Sequence, residues 1–355
     1  MLREILARAV ERGASDILII AGLPVSYKIN GRVVRQDDAR LLPGTTSSLA
    51  EEAYALAGGR SMEKLLATGD DDFSFSVSGL SRFRVNALRQ RGSLGLVIRV
   101  VSFTLPDRHA LGIPNRVMAF ADCSKGLVLI TGSAGSGKTT TLACIVDQVN
   151  RTRNLHIITI EDPLEYLHHH KKSIVTQREL YTDTVSYDVA LRAALRDAPD
   201  FILLGEMRDA ETIRAAVTAA ETGHLVFSTL HTIGAANTID RIVDVFPPEQ
   251  QQQIRTQLSL VLEGVVSQQL LETAEGPLVP AFEIMTANSA VRNMIRESKA
   301  HQLDNLIATS AAEGMVTMDQ SLLRLVQSGR VTPEVALRHS INQDWLIKRL
   351  ATSRA

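Results

Sequence analysis

Gly126-Leu127-Val128-Leu129-Ile130-Thr131-Gly132-Ser133-Ala134-Gly135-Ser136-Gly137-Lys138-Thr139-Thr140-Thr141-Leu142-Ala143 is the stretch whose reading decides the fold. Residues 126–131 are an apolar run of strand length, and the residues from Lys138 onward begin a helix. Between them stands the spacing G-x-x-x-x-G-K-T, residues 132–139. Glycines let successive backbone N–H groups converge on a phosphate without interference from Cβ atoms. The helix that follows adds its positive N-terminal end. In such a loop Lys138 brings a point charge to the β and γ phosphates, and the Thr139 hydroxyl is a ligand for Mg2+. Ser133, Ala134, Gly135, Ser136, Gly137, Lys138, Thr139 and Thr140 are therefore the candidate nucleotide contacts, with ATP and Mg2+ the expected pair.

Downstream, apolar runs at 156–160, 201–204 and 225–229 alternate with helical patterns that begin at Tyr187, Ala210 and Ala235. Alternating strands and helices imply a parallel sheet covered on both faces. From about Glu249 the sequence reads almost entirely helical, interrupted near Gly276-Pro277. Upstream the pattern is different. An amphipathic helix (Leu2, Ile5, Leu6, Ala9, Val10) precedes a strand at 16–20, and Asn30-Gly31 suits a type I′ hairpin turn between 26–29 and 32–34. Helical patterns at about 46–57 and 61–67 lead into alternating runs around Phe73-Phe75-Val77 and Phe83-Val85-Ala87, then a strand at 94–101. The expected organisation is an α+β domain over 1–101 with a mostly antiparallel sheet, a linker over 102–116 with Pro106, Gly112 and Pro114, and an α/β domain over 117–355.

A chain of 355 residues suits two domains, and 45% apolar residues suffice for sizeable cores. A formal net charge of −1 supplies no general field for nucleic acid or an anionic membrane, so no nucleic-acid partner is expected. Cys123 and Cys144 form neither a disulfide framework nor a CxxC pair. Met1-Leu2-Arg3-Glu4-Ile5 lacks an apolar signal core, and no run of about 18 apolar residues occurs. The expectation is a cytoplasmic protein that docks only peripherally on membrane machinery.

Hydrolysis needs a held metal and a polarised water. Phe201-Ile202-Leu203-Leu204-Gly205-Glu206 has the form of a core strand ending in an acid, which places Glu206 at the carboxyl edge of the sheet, near the metal. Ile157-Ile158-Thr159-Ile160-Glu161-Asp162-Pro163-Leu164-Glu165 is a strand leading into an acidic turn. Periodicity does not choose among Glu161, Asp162 and Glu165 as the group that polarises water.

With these residues in view, the chain resembles the secretion and type IV pilus motor ATPases, and within them the pilus-retraction branch. Four boxes carry the resemblance in family order. They are 132–139; Thr159-Ile160-Glu161-Asp162-Pro163-Leu164-Glu165-Tyr166; Ala194-Leu195-Arg196-Asp197-Ala198-Pro199-Asp200-Phe201 running to Gly205-Glu206-Met207-Arg208-Asp209; and Thr222-Gly223-His224-Leu225-Val226-Phe227-Ser228-Thr229-Leu230-His231-Thr232. The resemblance implies a RecA-like P-loop ATPase domain, a PAS-like N-terminal domain and a helical C-terminal region. It further implies that Glu165 activates water, that Glu206 holds Mg2+ through water, and that His224 and His231 sense the γ-phosphate. Arg84 and Arg99 match the family's N-terminal-domain arginines, which neutralise phosphoryl charge.

Two absences favour the retraction branch over the extension and type II secretion motors: a further N-terminal domain and a tetracysteine zinc insert. Ala290-Val291-Arg292-Asn293-Met294-Ile295-Arg296-Glu297 resembles that branch's C-terminal signature, with Val291, Met294 and Ile295 on one helical face. Departures include Ser133-Ala134 for the common Pro-Thr, Glu272-Thr273 after Gln268-Gln269-Leu270-Leu271, and the His168-His169-His170-Lys171-Lys172 loop. Adjacent side chains converge poorly on a metal, so a solvated loop is expected there. The implied function is a homohexameric ATP-hydrolysing motor that drives pilus retraction and twitching motility. Its implied partners are an inner-membrane platform protein and a second pilus ATPase. An assembly or secretion motor, an accessory retraction ATPase, a scaffold with little turnover and a nucleic-acid motor are the alternatives.

Overall fold

The computed structural model describes residues 1–29, 31–101, 105–273, 276 and 278–352. Asn30 of the expected hairpin turn, residues 102–104 of the expected linker and Pro277 lie outside them. The chain divides into two units, Met1–Thr104 with Leu164–Leu167, and Leu105–Pro163 with His168–Ala355.

In the first unit, β1 (Asp16–Ile19), β2 (Ser26–Ile29), β3 (Arg32–Arg35), β4 (Asp70–Val77), β5 (Ser81–Gln90) and β6 (Ser93–Val101) form one sheet in the order β3-β2-β1-β6-β5-β4. Every pairing in it is antiparallel. The alternation of β5 sends Phe83, Val85 and Ala87 into a core with Leu2, Leu6, Leu49 and Ile98, while Arg82, Arg84 and Asn86 take the opposite face. Helix Pro43–Leu56 adds Leu49, Ala50 and Ala53 to the same core. The buried Asp71 carboxylate closes that side by accepting from Arg60 (3.0 Å, twice) and from Tyr54 Oη (2.9 Å). Burial is the largest single influence and raises its carboxyl, but the hydrogen bonds from Arg60, Lys64 and Tyr54, with the Arg60 charge, together outweigh it and hold the carboxyl below the usual range.

In the second unit, β7 (Gly126–Thr131), β8 (His156–Glu161), β9 (Ile174–Glu179), β10 (Phe201–Leu204), β11 (Leu225–Leu230), β12 (Leu262–Leu271) and β13 (Val279–Thr286) stand in the order β13-β12-β7-β11-β10-β8-β9. All pairs are parallel except β12 with β13. The inner strands are buried on both faces, which is why β7 and β10 read as near-continuous apolar runs, while β11 also buries Ser228 and Thr229. Helix Lys138–Thr152 packs Leu142, Ile145 and Val149 on one face, against Val128, Ile130 and Phe227. On the other face Ile213, Val217, Ile239 and Leu258 meet Leu129, Ile202 and Val226. The helices begin at Lys138, Tyr187, Ala210 and Ala235 as expected, two of them under side-chain caps: Ser186 Oγ accepts from Val189 N, and Asp209 accepts from Thr212 N.

The structure corrects the reading of 249 onward. Helix Pro248–Val261 passes directly into β12, which forms a hairpin with β13; helices resume at Ser289. Gly264 explains why this strand lies where it does: a Cβ there would come within 2.3 Å of the Phe120 ring and 2.8 Å of the Met285 carbonyl. Strand β9 carries no apolar pattern in the sequence: Val175 and Glu179 are its buried residues, Ile174 is exposed, and Thr176, Gln177 and Arg178 are polar. Arg292, within the C-terminal signature, caps the end of helix Pro248–Val261 by donating to the carbonyls of Ser259 (3.0 Å) and Leu260 (2.8 Å). No helix among the described residues is long and apolar enough to cross a membrane.

Candidate nucleotide site

The loop leaves β7 between two neighbouring strands. Gly132 N donates to Leu230 O of β11 (3.3 Å), and on the other side a Cβ on Gly132 would lie 2.2 Å from Gln268 O of β12. Gly132, Gly135 and Gly137 have φ of 144°, 75° and 88°, which L side chains rarely adopt. Lys138 is only 8% exposed; its ammonium donates to the carbonyls of Gly132 (2.7 Å) and Ser133 (2.8 Å), which holds it against the loop. Ser136 is buried, whereas Ser133, Ala134 and Gly135 face outward. Thr139 and Thr140 lie half-buried in the first turn of helix Lys138–Thr152.

Because β7, β11 and β10 are parallel and adjacent, their carboxyl ends bring Gly132, His231 and Glu206 to one edge of the sheet. Glu206 is 8% exposed, with Arg208 on one carboxylate oxygen and His231 Nε2 3.4 Å from the other. Thr229 Oγ1 donates to Gly205 O (2.6 Å) and Met207 N to Thr229 O (3.1 Å), which fixes the turn that carries Glu206. Tyr187 also faces this turn: its phenolic oxygen is 2.7 Å from where a Gly205 Cβ would stand. Burial, reinforced by Glu206 and Asp162, pushes that phenol well above its ordinary value, so it is a neutral donor at any working pH. A Thr hydroxyl and a carboxylate are hard oxygen donors of the kind Mg2+ takes. Among the described residues no three His, Cys, Asp or Glu side chains form a metal cage, so phosphate oxygens and water would complete the ion's shell.

The remaining expected residues fall elsewhere. Glu161 is buried at the end of β8, where its carboxylate accepts from Thr159 Oγ1 (2.7 Å) and Gln177 Nε2 (3.4 Å). Glu165 is exposed, four residues further on, in the segment Leu164–Leu167 that groups with the first unit. Arg84 and Arg99 are directly opposed on β5 and β6, in a cleft of about 260 Å³ shared with Asp16 and Asp72. Asp16 answers Arg99 at 3.0 Å. Opposed like charges repel, and Asp16 and Asp72 in the same cleft offset that repulsion.

His224 lies apart from this edge. It precedes β11 and His231 follows it; β11 runs parallel to β7 from Leu225↔Gly126 to Leu230↔Thr131. The six-residue strand puts His224 about 20 Å from the loop, at the opposite edge of the sheet. There its Nδ1 sits 2.9 Å from Ala219 O, a helix-end contact. The residues that sequence reasoning missed are Arg208, Tyr187 and Gln268. Arg208 and Tyr187 lay within or beside the boxes, but their direction depends on the turn at Gly205.

The three-histidine loop is only partly solvated. His169 and His170 are exposed, but His168 is drawn inward, and its Nδ1 is shut off from solvent with no partner. Burial, opposed by Asp147 and reinforced by Lys171, pushes the His168 imidazole down to about 4. A depressed folded-state value means that stability is full above the ordinary value of 6.5 and is lost as pH falls toward about 4. The expected loss is about 2 kcal/mol by pH 5. Thermal melts of His168→Gln should show a flatter acid limb between pH 7 and 5 than wild type; parallel curves would remove His168 as the cause.

The type II/IV secretion system protein family matches residues 1–330. The type IV pilus retraction ATPase PilT of Pseudomonas aeruginosa is 45% identical over 335 residues, 94% of this chain and 96% of that protein. The type IV pilus ATPase PilU of the same organism is 38% identical over 338 residues, 95% of this chain and 88% of that one. The crystal structure of the pilus retraction motor PilT with bound ADP superposes with a TM-score of 0.88 at 46% identity, over 98% of this chain and 99% of that chain. With the family match extending over nearly the whole chain, and the phosphate loop, Glu206 and His231 gathered at one sheet edge, the protein belongs to the type II/IV secretion system protein family.

Proposed function

We propose that the protein is an ATPase that drives type IV pilus retraction, and with it twitching motility, as a homohexamer peripheral to an inner-membrane platform protein. The observation that carries the nucleotide reading is the loop itself: a buried Lys138 among three glycines in left-handed or extended-positive conformations, ahead of a 15-residue helix. The 45% identity to a pilus retraction ATPase over 94% of the chain supports the choice of work. In this reading Ser133 to Thr140 hold the phosphates of ATP, Thr139 and Glu206 hold Mg2+, and Glu165 activates the attacking water. His231 reports on the γ-phosphate through its contact with Glu206. Arg84 and Arg99 add positive charge at the phosphoryl oxygens, and contact that they make with the nucleotide in only one of two states converts phosphate chemistry into domain motion. A second pilus ATPase is a further partner. Deletion of the gene should leave cells with excess pili that do not retract; loss of all pili would instead identify an assembly motor.

A further inference from the structure

A buried primary amide must have its donors and acceptor answered, so where its bonds go shows what it holds. Gln268, on β12, is 3% exposed. Its Oε1 accepts from Thr141 Oγ1 at 2.8 Å, in the first turn of helix Lys138–Thr152. Its Nε2 lies 2.7 Å from where a Cβ on Gly137 would stand, and its backbone carbonyl 2.2 Å from the same point on Gly132. One residue thus touches the first glycine of the phosphate loop, the last glycine and the helix behind them. Its neighbour Gln269 is equally hidden, at 7% exposure, but bonds away from the loop, to His339 O (3.0 Å) and His339 Nδ1 (2.9 Å).

We propose that Gln268 is a positioning residue for the nucleotide phosphates, which sets the spread of the loop between Gly132 and Gly137 so that its N–H groups converge. This rests on the nucleotide-binding reading above. The loop has no side chain at either glycine with which to hold its own width. Gln268 supplies that constraint from a strand that is itself hydrogen-bonded to β7 along five registers. An apolar side chain of the same length would fill the space and leave Thr141 unpaired and the loop free to widen.

The test compares Gln268→Met with Gln269→Met, the same change at adjacent buried positions of one strand. ADP affinity is read by calorimetry, KM for ATP by phosphate release, and stability by thermal melting. Gln268→Met should raise the ADP Kd and the ATP KM about tenfold, while Gln269→Met leaves both within about twofold and loses as much thermal stability. Thr141→Val, which removes the other end of the hydrogen bond, should weaken ADP binding in the same direction; in combination with Gln268→Met it should add nothing further. If Gln268→Met does not fold, Thr141→Val alone carries the test, and wild-type affinity in it overturns the proposal. Wild-type affinity in Gln268→Met overturns it, and so does an equal loss in both glutamine variants, which would be a packing defect of β12. If wild type and Lys138→Ala both leave ADP unbound, the nucleotide-binding reading fails, and the proposal with it.

Discussion

Lys138→Ala is expected to lower kcat/KM for ATP about 1,000-fold, the scale on which removal of one preorganised charge or donor acts in a closed site. Lys138 is nearly buried, and its ammonium already lies on the carbonyls of Gly132 and Ser133, so its direction toward the loop is set before any phosphate arrives. The alanine variant loses the only charge the 132–139 loop carries, and leaves those two carbonyls without their donor. Lys138→Arg should not restore activity, because a planar guanidinium cannot take the place of a compact ammonium in that space. Phosphate release with ADP calorimetry checks both points. Turnover within tenfold of wild type in Lys138→Ala would remove the loop from the chemistry.

Glu165→Gln is expected to lower kcat about 1,000-fold with ADP affinity nearly unchanged, the signature of a lost general base rather than a lost binding group. The environments of the two glutamates separate them as candidates. Glu161 is committed to Thr159 and Gln177 and shielded from water, as suits a group that holds β8 to β9. Glu165 is exposed, so it can meet a solvent molecule. Asp162 is exposed too, so Asp162→Asn belongs in the same series. If Glu161→Gln abolishes turnover and Glu165→Gln does not, the assignment is overturned.

These residues differ in how far the sequence alone could show them. The strands around 126–131 and 201–204 were legible because a strand buried on both faces is a near-continuous apolar run, and 225–230 because Leu225, Val226 and Phe227 open it; each is bounded by glycine, acid or histidine. Helix starts at Tyr187 and Ala210 were legible from the helical pattern, and in the structure Ser186 and Asp209 cap them. Strand β12 was hidden by Ser267, Gln268 and Gln269, three polar residues in a row that periodicity counts against a buried strand. Their polarity makes sense only through partners far along the chain: Thr131 and Gly234 for Ser267, Thr141 for Gln268, His339 for Gln269. The histidine box was legible as a pattern but not as a geometry. A strand of six residues separates the two ends of the sheet, and the spacing of His224 and His231 does not announce it.

The loop of three histidines has one more consequence. An open sheet ends in two strands whose outer backbone groups invite any extended peptide to join, including the same strand of another molecule. At β13, Ile284 exchanges both backbone hydrogen bonds with Val316, and Phe282 N donates to Ser321 Oγ. At β9 the invitation is declined by a side chain: Val175 N donates to His170 Nδ1, and His168 N takes the Gln177 amide oxygen. A segment expected to be a solvated loop therefore works as a selvedge, the bound edge that keeps a woven sheet from taking on further threads.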